Sequence, residues 1–195
     1  LNLNEDGFTK IEHQVHSDIV ECVKEKGEIH TNIDGLVTDK SGISLSLRFA
    51  DCTPILVYCK DQKIVCAIHS GWLGTVRQIV DHTIRYLIEK ENCNPKEMYC
   101  LIGPCLSKKH LEVQDDVINQ VKKMNFDTSP FYQKTDETHY LLDNKGLNKQ
   151  QLLNLGVLEE NIQVSSYCTN ENNDLFFSHR VNHDGQRNVT IIKRK

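Results

Sequence analysis

The chain has 195 residues, of which 38% are hydrophobic and 26% charged, with a formal net charge of −4. That length supports one sizeable core, so residues 1–195 are expected to form a single domain, and the balance is that of a folded globular protein rather than a disordered one. Lys and Arg are dispersed instead of forming the basic stripe of a nucleic-acid surface, and no apolar run approaches the roughly 18 residues of a membrane span.

The N-terminus lacks the charged-then-apolar plan of a signal peptide, and it opens on Leu1, so the numbered chain is expected to begin inside a longer one. Residues 8–16 (FTKIEHQVH) alternate in polarity and predict a strand. Ile11, His13 and Val15 would share one face, with His13 packed in the core, while Glu12, Gln14 and His16 share the other. Residues 35–39 and 43–49 read as further strands. Segments 54–59 (PILVYC) and 64–69 (IVCAIH), joined by Lys60-Asp61-Gln62-Lys63, predict a hairpin. Thr75 is expected to cap a helix, because Val76, Ile79, Val80, Ile84, Leu87 and Ile88 follow at helical spacing. A strand at 98–102, a helix over 112–124, a helix over 147–155 stopped by Gly156, and strands near 161–168 and 188–193 complete the order. Lys193-Arg194-Lys195 reads as a solvated end. The fold class is therefore α/β or α+β, a mixed β-sheet flanked by helices. Eight cysteines in a chain of this size, mostly inside apolar segments, suggest reduced buried thiols and a cytoplasmic protein rather than a disulfide scaffold.

The hairpin carries the first chemical hint. If Lys60 faces Lys63, Pro54 lies opposite His69, and Cys52 is two residues before Pro54, roughly 7 Å along the strand. His69 and Cys52 then fall at one end of a ribbon, close enough to share an ion. His16, at the end of its own predicted strand, is the leading third ligand, and three N/S ligands with an open position is the common plan of catalytic zinc. Spacing alone leaves the plainer alternative open, a buried thiol and a hydrogen-bonded strand-end histidine.

The blocks QVHSD (14–18), DGLVTD (34–39), ADCTPILVYC (50–59), AIHSGWLGT (67–75), IGPCL (102–106), LEV (111–113), CT (168–169) and DLFFSHR (174–180) run in order across nearly the whole chain. Together they resemble the laccase-domain family, named as polyphenol oxidases and later described as purine nucleoside phosphorylases. The resemblance implies zinc ligands at His16, Cys52 and His69. It further implies phosphorolysis of adenosine, inosine, guanosine or methylthioadenosine, with deamination of adenosine, so the expected partners are small nucleosides and phosphate, without nucleic acid or membrane. Some relatives are described as peptidoglycan editing factors, which offers cell-wall precursors as another substrate class. Departures from the family pattern are visible. The usual opening with an arginine is absent. A Cys pair after Gly103-Pro104 is replaced by Ser107-Lys108-Lys109-His110, and a second Cys after Cys168-Thr169 is missing. The closing arginines are reduced to Arg180 and Arg187.

Around the three ligands, Asp51 is a candidate to orient His69 or accept a proton. Arg48, Arg180 and Arg187 are candidates for phosphate, whose oxygens match a guanidinium fork. Ser70, Gly71 and Thr75 would offer an anion site before the predicted helix. Trp72 reads as core or as a stacking surface, and Cys105 as a core thiol. Copper is the alternative metal, because it outcompetes zinc at many nitrogen sites. Yet multicopper sites draw on His-x-His pairs, and none of the nine histidines stands two residues from another. A non-enzymatic domain stabilised by a structural zinc would need a fourth protein ligand.

Overall fold

The computed structural model describes residues 8–194. The opening segment read above for a leader, and Lys195 of the basic tail, lie outside them. Among the described residues the chain forms β1 (Phe8–Ile11), β2 (Val20–Cys22), β3 (Ile29–His30), β4 (Gly35–Thr38), β5 (Ser44–Phe49), β6 (Thr53–Cys59) and β7 (Ile64–Ser70). Helices α1 (Trp72–Val76) and α2 (Ile79–Glu89) follow, then β8 (Met98–Ile102), β9 (Glu112–Gln114) and α3 (Asp115–Val121). The remainder is β10 (Tyr132–Lys134), β11 (His139–Leu142), α4 (Asn144–Asn154), β12 (Ile162–Val164), α5 (His179–Asn182) and β13 (Asn188–Lys193).

The hairpin β6–β7 lies at the centre, and Pro54 pairs with His69 as the turn requires. Its strands belong to a six-stranded mixed sheet of order β12-β8-β6-β7-β4-β2. Strand β7 is buried along its whole length because each face meets a different layer. Ile64, Cys66 and Ile68 pack with Ile79, Ile84 and Leu87 of α2 and with Leu152 of α4. Val65 and Ala67 point the other way, onto Ile11, Leu45 and Leu47 of a second, four-stranded sheet. A strand covered on both sides reads as a continuous apolar run rather than an alternation, which is what 64–68 shows.

The fold is the mixed α/β arrangement expected, and among the described residues its strands form three sheets. The second sheet has the order β13-β5-β1-β3 and the third, antiparallel, β10-β11-β9. The third sheet packs Tyr140 and Leu142 against Val117, Ile118 and Val121 of α3 in a separate small core.

Three local readings are corrected. The strand read at 8–16 stops at Ile11, and His16 adopts a left-handed backbone (φ 58°), leaving Val15 and His13 exposed rather than His13 in the core. The helix expected to start at Thr75 is two helices, since Gln78 (φ 62°, ψ 39°) breaks the ladder between them and Thr75 is buried inside the first. The helix expected from 112 begins at Asp115, because Glu112–Gln114 pair with β11. Gly156 ends α4 as expected, with φ 87° where a side chain would be strained. The basic tail is not simply solvated: Lys193 closes β13, and the Arg194 guanidinium donates to the Asp39 carbonyl.

Candidate metal centre and cleft

Three separate segments bring the ligand-type side chains together. His69 comes from the end of β7, Cys52 from the turn before β6, and His16 from the loop between β1 and β2. Their donor atoms all lie within 4.8 Å of one another, with Cys52 Sγ 3.5 Å from His16 Nε2. A tetrahedral ion with Zn–N and Zn–S bonds of about 2.0 and 2.3 Å places such donors roughly 3.5 Å apart. Gly71 makes the approach possible. A Cβ there would sit 2.6 Å from His16 Cδ2 and 3.0 Å from Cys52 Sγ, so any side chain would push into two of the three ligands.

The orienting carboxylate is Asp34, which is fully buried just before β4. Its Oδ1 accepts from His69 Nδ1 at 2.8 Å, which leaves His69 Nε2 for an ion. Its Oδ2 accepts from Ser17 N at 2.6 Å, Ser17 Oγ at 2.8 Å and Val15 N at 3.2 Å. One side chain thus holds His69 by its ring and His16 by the backbone on either side of it. The sequence reading missed Asp34, and its hint was the acid opening DGLVTD. Only the pairing of Gly35 with Ile68 brings that position beside His69.

The electrostatics follow from this crowding. Burial pushes the Cys52 thiol up, but the imidazoles of His16 and His69 outweigh it and bring it down to about 6. Burial alone would lower His69, yet Asp34 and Cys52 hold it up at about 9. The hydrogen bond with Cys52 also raises His16. Burial works against the Asp34 carboxylate, and the His69 and Ser17 donors overcome it and keep it below its usual range.

This centre lies on a cleft of about 650 Å³, which is lined also by Arg48, Asp51, Trp72, Asn144, Arg180 and Arg187. The structure brings the three candidate arginines and Asp51 to one space. Asp51 accepts from Thr169 Oγ1 at 2.5 Å and from Arg180 N at 2.9 Å, so it anchors the C-terminal segment rather than orienting His69. Arg48 Nη2 donates to the Glu12 carbonyl at 2.7 Å, and Arg187 Nη1 to that of Gln186 at 2.7 Å.

Ser70 does not join the cleft. It is fully buried, with its hydroxyl in a network with Thr75 Oγ1 and Asn148 Oδ1. The helix after Gly71 has five residues and Thr75 sits inside it, so the anion site read from 70–75 is not formed. Trp72 lines the cleft and packs on the small core of the third sheet. Cys105 is a buried thiol pushed up to about 12 by burial, in keeping with a core role. Asn144 escaped the sequence reading. Its Nδ2 donates to Thr53 Oγ1 and to the Ser70 carbonyl, while its buried Oδ1 has no partner among the described residues.

A mixed α/β domain with a His–Cys–His centre open to a polar cleft is the class that fold and site define. The chain belongs to the multi-copper polyphenol oxidoreductase laccase family, whose model matches residues 1–195. A relative from Bacillus subtilis, named purine nucleoside phosphorylase YlmD, is 35% identical over 176 residues, covering 86% of this chain and 63% of the relative. Its namesake from Geobacillus stearothermophilus is 37% identical over 149 residues, covering 76% of this chain and 54% of the relative. The chain therefore spans less than two thirds of the length of these curated relatives. Among solved structures, the hypothetical protein YfiH of Bacillus licheniformis superposes with a TM-score of 0.95 at 28% identity, covering all of this chain and 76% of that one. YlmD of Geobacillus stearothermophilus superposes at 0.92 with 32% identity, covering 97% and 74%.

Proposed function

We propose that this protein is a zinc-dependent purine nucleoside phosphorylase that also deaminates adenosine in the same cleft. One observation carries the reading. The donors of His16, Cys52 and His69 converge at a cleft that also holds three arginines and an aspartate. The names of the relatives supply the substrate class.

The donor set fits a metal, and two nitrogens with one sulfur favour zinc. Among the described residues no fourth His, Cys, Asp or Glu donor joins the group, which leaves a position open and argues against a closed structural site. When bound, the metal would supply a fixed positive charge and Lewis acidity beside the reacting atoms.

The chain's own residues then divide the remaining work. In phosphorolysis a phosphate oxygen bonds to ribose C1′ as the C1′–N9 bond breaks, and the purine leaves with the electron pair. Arg48, Arg180 and Arg187 hold and orient that phosphate through bidentate forks. Asp51 fixes the Arg180 backbone, and its remaining lone pairs accept a substrate hydroxyl or the proton released from water in deamination. Trp72 offers an aromatic wall for the base.

The test is chromatography of adenosine and inosine incubated with the protein, with and without phosphate and chelator, using muropeptide precursors as a control substrate. Phosphate-dependent release of free base that chelation abolishes is expected; no such release from either nucleoside with zinc present rejects the reading. Metal analysis of protein produced without added copper distinguishes zinc from the copper of the family's description.

A further inference from the structure

A second cluster stands apart from the residues used above. His110 follows β8 in the loop that leads to β9, and Cys168 and Glu171 follow β12. Their donor atoms also lie within 4.8 Å of one another. His110 Nδ1 is 3.8 Å from Cys168 Sγ and 3.3 Å from Glu171 Oε1. Tetrahedral zinc with Zn–N, Zn–S and Zn–O bonds of about 2.0, 2.3 and 2.1 Å sets these edges at roughly 3.5 and 3.3 Å. We propose that His110, Cys168 and Glu171 form a second divalent-metal site, which takes Zn²⁺ through one nitrogen, one sulfur and one oxygen and is completed by water.

The surroundings suit that role. Cys168 is buried, and its sulfur accepts the Ser107 N–H at 3.3 Å, as a thiolate ligand does. The His110 and Glu171 side chains remain 25% and 44% exposed, so an ion has a route in and water a place to complete the shell. Ser107 Oγ, 3.2 Å from His110 Nδ1, holds the nitrogen that the ion would take and must yield it on binding. Lys109 Nζ, 3.4 Å from Glu171 Oε1, is the competing partner; it is 76% exposed and free to swing away. The ion would pin the loop after β8 to the segment after β12. Thr169, next to Cys168, donates to Asp51, so the pin would brace the edge of the cleft beside Cys52.

The experiment uses the whole chain and zinc alone. Cys52→Ser isolates the second site from the first. The protein is stripped by chelator, equilibrated in a zinc buffer, and its bound metal measured by emission spectroscopy, with circular dichroism to confirm folding. One zinc equivalent is expected in Cys52→Ser and none in Cys52→Ser/His110→Gln. Glu171→Gln in the otherwise unchanged chain, an exposed substitution compatible with folding, should lose one equivalent or weaken its binding at least about tenfold. Cobalt loading of Cys52→Ser should show the near-ultraviolet thiolate charge-transfer band and lose it on adding His110→Gln. No zinc in folded Cys52→Ser, or equal zinc with and without His110, overturns the site. So does a Glu171→Gln chain that binds like its parent. None of these outcomes bears on nucleoside cleavage, so the two readings fail separately.

Discussion

Asp34 shows how much one residue can decide. It ties His69 by its ring and the His16 loop by three donors, and it is fully buried. Asp34→Ala would leave a buried imidazole without its partner, which costs about 3 kcal/mol of stability. Loss of an orienting group also weakens metal by roughly 10- to 100-fold. Urea unfolding and zinc competition titrations measure the two effects independently. The protonation states make a second prediction. Below pH 9 His69 carries a proton that an ion must displace, so zinc affinity should climb as pH rises towards 9 and level off above it. His16, also raised, adds a second proton and Cys52, lowered to about 6, a third in the acid, so the slope should steepen as pH falls. Titrations in buffers of different ionisation enthalpy read the proton release directly, and a flat profile from pH 6 to 9 would contradict the assignment.

At the scale of elements, the same strand that builds the core also delivers a ligand. β7 is buried on both faces, so its register cannot slip without moving Ile68 and Ala67 into the wrong layers, and His69 inherits that rigidity. The junction after it is less settled. Gln78 holds a left-handed conformation between α1 and α2, and its buried Oε1 has no partner among the described residues. Both features cost stability in a side chain that glycine would not have. Gln78→Gly should therefore stabilise the protein by about 1 kcal/mol, seen as a higher thermal midpoint without a change in metal content. The hydrophobic spacing of 76–88 was legible as helix, but the break was not, because periodicity records which face is apolar and nothing of a single reversed φ.

The whole molecule assembles its cleft from distant parts of the chain: the loop before β2, the turn before β6, and the segment around α5 and before β13. Arg187 reaches the cleft from that last segment, and its removal touches no part of the central hairpin. Arg187→Ala should raise the phosphate KM about tenfold, since one charged hydrogen-bonding group is worth roughly 1.5 kcal/mol. The nucleoside KM and zinc content should stay near their original values, and steady-state kinetics with phosphate varied at fixed inosine provides the check. Much of this protein was determined by sequence alone. The hairpin register that faces Pro54 with His69 follows from a tight turn and period-two strands, and the Cys52–His69 pair follows from that register. His16, at the end of its predicted strand, is the leading third candidate, and the family blocks point to the same residue. What only the tertiary structure decided was non-local. It divided the strands among three sheets, brought His16 to Cys52 through a left-handed backbone, and set Asp34 rather than Asp51 behind His69. It also drew His110 to Cys168 and Glu171 from the far side of the third sheet's sequence. The physical reason is common to all four. Local pattern specifies which way a side chain points relative to its neighbours, whereas strand pairing and layer packing between segments tens of residues apart choose which side chains meet.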